Sequence, residues 1–182
     1  MGELVALRLA RGGASLILSS RNEAALTRVA AACLAAGASA AHVLPLDQLS
    51  KDGRAAAIKS LSEIAPDGLH HVFLLAGGTQ RAAALATTPE VDLAVVTLNA
   101  LSVYALAKAV VPRLRPGCGR VTAVASAAAL LPSPGQASYA GSKFCVVGFL
   151  STLRSEGAAN GACASYCSHR AHRSHHRVLS FQ

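Results

Sequence analysis

Tyr139 and Lys143 stand four residues apart in Tyr139-Ala-Gly-Ser-Lys143, a spacing that puts a phenol and an ammonium on one face of a helix. Ser126, thirteen residues upstream, ends the apolar run Val121-Thr-Ala-Val-Ala-Ser126 and can reach the same point from a strand. Two hydroxyls and a cation converging in this way make a proton-transfer site, because a nearby positive charge favours the phenolate. Taken singly, each residue has a plainer reading: an aromatic at a helix start, a solvated surface charge, a strand-end cap.

Such a site needs a sheet to carry the serine and a helix to carry the tyrosine and lysine, and short apolar runs do alternate here with longer helical stretches. Strands are expected at 15–19, 41–46, 70–75 and 120–125, and helices at 23–36, 51–64, 91–114 and 137–156. That alternation predicts an α/β fold with a doubly wound parallel sheet. No internal repeat or linker interrupts it.

Three stretches together resemble the short-chain dehydrogenase/reductases along their whole run: Val121 to Ser126, then Ser133-Pro-Gly-Gln-Ala-Ser-Tyr-Ala-Gly-Ser-Lys-Phe144, then Gly148-Phe-Leu-Ser-Thr-Leu-Arg-Ser-Glu156. The resemblance implies a Rossmann-like core and a nicotinamide cofactor that carries the hydride. It also implies that Tyr139 is the general acid/base, that Ser126 holds the substrate oxygen, and that Lys143 binds the nicotinamide ribose and lowers the Tyr139 pKa. The substrate would be a small-molecule carbonyl or alcohol. Ser19-Ser-Arg21 and Thr79-Gln-Arg81 lean toward the branch that includes dehydrogenase/reductase member 7-like proteins.

Further positions match that family one by one. Arg21 stands after the family's second strand, where a basic residue faces the 2′-phosphate of NADP and an acidic one the 2′-hydroxyl of NAD; it favours NADP(H) over NAD(H), unless it is only a solvated turn charge. Asp47 resembles the aspartate on the adenine amine, and equally reads as the cap of a helix beginning near Ser50. Leu74-Leu-Ala-Gly77 takes the place of Asn-Asn-Ala-Gly. Ala76 and Gly77 keep the close backbone approach to the cofactor, while the amide hydrogen bonds of both asparagines are lost. Asn99 matches the fourth catalytic position, whose side chain holds a relay water; a buried structural amide is the rival reading. Ser102 stands where a glycine is usual.

The ends depart from the family. Residues 1–14 read as its first helix and the turn into its second strand, with Gly2 as the last glycine of the phosphate-binding motif. The first strand and the earlier glycines, which would bring the pyrophosphate to the helix N-terminus, are expected to be missing. Since that strand lies between the ones at 15–19 and 70–75 in the family's sheet, either a gap or a direct pairing of those two is expected. After Glu156 neither strand alternation nor an apolar helical face is visible. We expect a partial domain over 1–157 and an irregular basic tail over 158–182, the C-terminal strands missing, as in a truncated or frame-shifted product whose activity is impaired. A non-catalytic remnant that associates with intact family members is the alternative.

Composition bounds the rest. At 182 residues, 52% of them hydrophobic, the chain holds at most one domain able to bury a core. Charges, prolines or glycines interrupt the Ala-rich stretches, so no membrane span is expected. No signal peptide is visible, and an intracellular, cytoplasmic location follows by default. Five cysteines, an odd number, argue for reduced thiols. Of the +8 charge, Arg170, Arg173 and Arg177 lie in a tail without acidic residues, and no aromatics interleave as nucleic-acid stacking requires. No nucleic-acid partner is expected. Cys163, Cys167, His169, His172, His175 and His176 crowd the tail, but their spacing matches no zinc-finger pattern, and no metal is assigned. The family's usual pairing implies a homo-oligomer through the helices at 91–114 and 137–156.

Overall fold

The computed structural model describes residues 1–131, 133–157 and 163–167. They fall into two compact units, Met1–Pro66 and a second that begins at Asp67, where the sequence reading has one partial domain over 1–157. The division follows the hydrogen bonding of the strands, which form two separate sheets.

In the first unit, helix α1 (Gly2–Ala10) turns through residues 11–14 into strand β1 (Ser15–Leu18). Asn22 caps helix α2 (Glu23–Ala35), its Oδ1 accepting from Ala25 N at 2.9 Å, which satisfies one of the orphan donors at a helix start. Strand β2 (Ala40–Val43) runs parallel to β1, with Ser15 opposite Ala40. Leu26, Val29, Ala30 and Cys33 recur at helical spacing and are buried. Val29 and Cys33 pack with Ala6, Ala10 and Leu16, which makes a core shared by α1, α2 and β1. Helix α3 (Lys51–Ile64) is capped by Ser50, whose Oγ accepts from Gly53 N at 3.0 Å.

The second unit is built on strands β3 (His71–Leu74), β4 (Arg120–Val124) and β5 (Cys163–Cys167), all parallel and in that order. Residues His71, Arg120 and Cys163 lie in register across it. Gly119 turns the chain into β4 at a point where a Cβ would lie 2.5 Å from Leu114 Cβ and 2.8 Å from the Arg115 backbone, so only glycine fits. Val121 and Ala123 are fully buried, as an inner parallel strand demands. A continuous helical run joins β3 to β4: α4 (Pro89–Val96), a π-helical turn (Thr97–Leu101), α5 (Ser102–Val110) and a 3-10 turn (Val111–Arg113). Helix α6 (Ala137–Gly157) packs on β5, α4 and the π turn. Its buried stripe is Ser142, Val146 and Leu150, four residues apart.

The segment after residue 157 corrects the sequence reading. An irregular tail without strands is expected there, yet Cys163–Cys167 forms a five-residue parallel ladder with β4. The run Cys-Ala-Ser-Tyr-Cys carries no apolar alternation to mark it as a strand, and its parallel register on β4 is what defines it. The other tail residues, including the clustered histidines, lie outside the described part. A direct ladder between the strands at 15–19 and 70–75 does not form among the described residues. Among the described residues one helix, Pro89–Arg113, is long and apolar enough to cross a membrane by length and composition alone, with a mean hydropathy of 1.7, where the sequence reading expects no such stretch. Its buried face, which includes Asn99, Val103, Leu106 and Val110, is what a core helix presents.

Candidate active site

Lys143 is the most confined charge among the described residues, 5% exposed. It sits one turn after Tyr139 on α6, beside the buried stripe, and its Nζ donates to Val124 O, the last carbonyl of β4, at 2.9 Å. No carboxylate among the described residues pairs with it. Desolvation therefore lowers its pKa. Nζ lies 5.9 Å from the centre of the Tyr139 ring, so the ammonium and the half-buried phenol face one region, as the four-residue spacing predicts.

Ser126 lies two residues beyond the carbonyl that Lys143 grips, at most about 7 Å along the chain. Its Oγ accepts from Ala128 N at 3.2 Å and caps the short turn Ala127–Ala129. That is the strand-end cap anticipated from sequence, and it leaves the serine proton without an acceptor among the described residues.

Asn99 sits on the π turn and is completely buried. Its Oδ1 accepts from Gly78 N at 2.8 Å; its Nδ2 donates to Gly78 O at 2.8 Å and to Ser142 Oγ at 3.0 Å. Both amide protons are therefore committed to protein acceptors, the structural-amide arrangement, and the side chain has no donor left for a relay water. Ser142 Oγ in turn donates to Tyr139 O at 2.7 Å. One amide thus ties the loop after β3 to the helix that carries Tyr139 and Lys143. The loop after β3, which has leucine at positions 74 and 75, is thus held by an amide from the π turn.

Ala76 and Gly77 are exposed on that loop. A Cβ on Gly77 would lie 3.0 Å from Asn99 Oδ1 and 3.3 Å from Lys143 Nζ, so its absence opens a cradle against a buried ammonium. Among the described residues Lys143 has one acceptor for three protons. Such a surface fits the sugar hydroxyls of a nicotinamide nucleotide, with Lys143 donating and the Ala76-Gly77 backbone in close approach.

The remaining sequence candidates lie in the first unit. Gly2 begins α1. Arg21 is exposed between β1 and α2, without an ion-pair partner among the described residues, in a shallow depression formed by Ser20, Arg21, Asn22 and Glu23. Asp47 does not cap α3: Ser50 does, and Asp47 Oδ1 instead accepts from Leu49 N at 3.0 Å.

Sequence reasoning missed Ser142 and Gly78. Ser142 was legible, since it lies four residues before Val146 and eight before Leu150 on one apolar stripe, where a polar group must find a partner. Gly78 contributes only backbone and leaves no such trace.

A sequence model of the short chain dehydrogenase family matches residues 1–167. Hydroxysteroid 11-beta-dehydrogenase 1-like protein of Xenopus tropicalis is 33% identical over 157 residues, covering 86% of this chain and 54% of that protein. Dehydrogenase/reductase SDR family member 7 of Mus musculus is 31% identical over 161 residues, covering 86% of this chain and 47% of that protein. The chain therefore spans about half the length of the curated relatives it matches. Among solved structures, an actinorhodin polyketide ketoreductase with NADPH superposes with a TM-score of 0.82 at 25% identity, over 90% of this chain and 63% of the other.

Proposed function

We propose that this chain, which belongs to the short-chain dehydrogenase/reductase family, interconverts a small-molecule carbonyl and its alcohol with NADP(H), Tyr139 moving the proton. The observation that carries this reading is the buried Lys143 ammonium, fixed to Val124 O and facing the Tyr139 phenol. A cation held there, where water cannot screen it, stabilises the phenolate that must form when the proton is given to the substrate oxygen. Ser126 donates its free proton to that same oxygen and orients the carbonyl. Lys143 and the Ala76-Gly77 backbone hold the nicotinamide nucleotide, which supplies the hydride when bound.

The preference for NADP(H) rests on Arg21, an exposed guanidinium beside the N-terminus of α2, where backbone N–H groups also favour a phosphate. Association into a homo-oligomer rests on large apolar side chains left outside on the two helical regions concerned. Leu93 is 64% exposed, Leu101 49% and Phe144 53%.

Tyr139→Phe tests the chemistry. It removes the transferable proton and leaves Lys143 and the Ala76-Gly77 backbone in place, so turnover should fall by about 10² to 10⁴ while NADPH affinity stays within about twofold. Turnover equal to that of the unaltered protein takes Tyr139 out of the mechanism.

A further inference from the structure

We infer that the turn Ser133–Gln136 is a latch that fixes the position of Tyr139, with Gln136 and Thr79 as positioning residues; the inference rests on the proton-transfer role proposed above. Gln136 N bonds Ser133 O at 3.1 Å across Pro134 and Gly135. Gly135 has φ +74, the type II geometry that proline before glycine favours. The turn presents two groups to the loop that follows β3. Gly135 O accepts from Ala82 N at 3.0 Å. Gln136 Nε2 donates to Thr79 Oγ1 at 3.1 Å, while Ser133 Oγ holds the other end of the same amide at 2.7 Å.

The receiving loop is braced to match. Gln80, buried, donates through Nε2 to Ala82 O and to Thr87 Oγ1, both at 3.1 Å. The Ala82 peptide is thereby gripped on both sides, by Gly135 at its N–H and by Gln80 at its carbonyl. On the helix side, Gln136 O receives the first bond of α6, from Ala140 N at 2.7 Å, so Gln136 sits one turn before Tyr139. Ser138, next to Tyr139, donates to Asp92 on α4. Asn99 and Ser142 secure the inner side of that turn, and the latch secures its outer side. A half-buried phenol whose backbone is held from both sides cannot drift, and a drift of 1 Å at a reacting group costs about 10²-fold in rate.

Thr79 is exposed, so its variants test the latch without threatening the fold. Thr79→Val removes the hydroxyl at nearly constant shape; Thr79→Ser keeps it. We expect Thr79→Val to lower kcat about 10- to 100-fold with KM and NADPH affinity unchanged, Thr79→Ser to restore it, and Gln136→Ala with Thr79→Val together to do no more than either alone. The Tyr139 ring resonance, one of three tyrosines, read by NMR without nucleotide, should shift or broaden in Thr79→Val and return in Thr79→Ser. Loss of kcat that Thr79→Ser fails to restore, or a Tyr139 resonance identical in all three proteins, overturns the latch. If the unaltered protein neither binds NADPH nor turns over, the proposed function has failed, and the resonance alone decides the latch.

Discussion

Asn99 makes three hydrogen bonds from a completely buried side chain, so removing it leaves the Gly78 N–H and carbonyl without this partner, while Ser142 Oγ keeps its bond to Tyr139 O. A buried polar group without a partner costs about 1 to 3 kcal/mol. Asn99→Leu, close in volume, should therefore lower unfolding free energy by at least about 2 kcal/mol in urea titration, and a loss below measurement error would contradict the geometry. At this scale the sequence was informative about residue types and less so about their employment. The spacing of Tyr139 and Lys143 placed both on one face before any coordinates. The same spacing could not say that Asn99 spends its amide on backbone, because Gly78 carries no side chain to betray the partnership. Nor did it show that Asp47, read as an adenine contact or as the α3 cap, leaves the cap to Ser50, whose Oγ is the oxygen that reaches Gly53 N.

The elements were legible wherever periodicity or capping marked them. Helix α3 spans the expected residues; β1, α2, β4 and α6 differ from expectation by one residue at one end and β3 by one at each, as fraying ends do, whereas β2 ends three residues before the expected 46. Two features carried no such mark: the π turn within the long helical run, and β5. Strand β5 adds a polar row to the sheet, since His71 Nε2 lies 2.9 Å from Thr122 Oγ1, which lies 2.9 Å from Ser165 Oγ. Desolvation, aided by the Arg120 charge, holds His71 below its ordinary value of 6.5. The unfolded chain then takes up the proton first as pH falls, so this contribution is intact above about pH 6.5 and is lost as pH falls through the lower folded value. The thermal midpoint should fall less between about pH 7 and 5 in His71→Gln, which cannot titrate, than in the unaltered protein. Equal slopes would show that the row does not sense pH.

For the whole molecule, alternation of apolar runs and helices identified the α/β class and the short-chain dehydrogenase motifs identified the family. The division into two units was not visible, because it follows from which strands share a ladder rather than from any linker composition. The cofactor candidates are distributed accordingly: Gly2, Arg21 and Asp47 lie before Pro66, whereas Ala76, Gly77, Asn99, Tyr139 and Lys143 lie after it. Under the proposed function Arg21 and Lys143 are each assigned to a nicotinamide nucleotide, and nucleotide binding tests each assignment by itself. Calorimetric titration of the chain with NADPH and with NADH, repeated on Arg21→Asp and Lys143→Met, tests both most directly. We expect saturable binding with NADPH preferred, a preference reduced at least about tenfold by Arg21→Asp as attraction for the 2′-phosphate becomes repulsion, and affinity for both nucleotides lost in Lys143→Met. No saturable heat with either nucleotide, or affinities unmoved by Lys143→Met, would contradict the proposed binding.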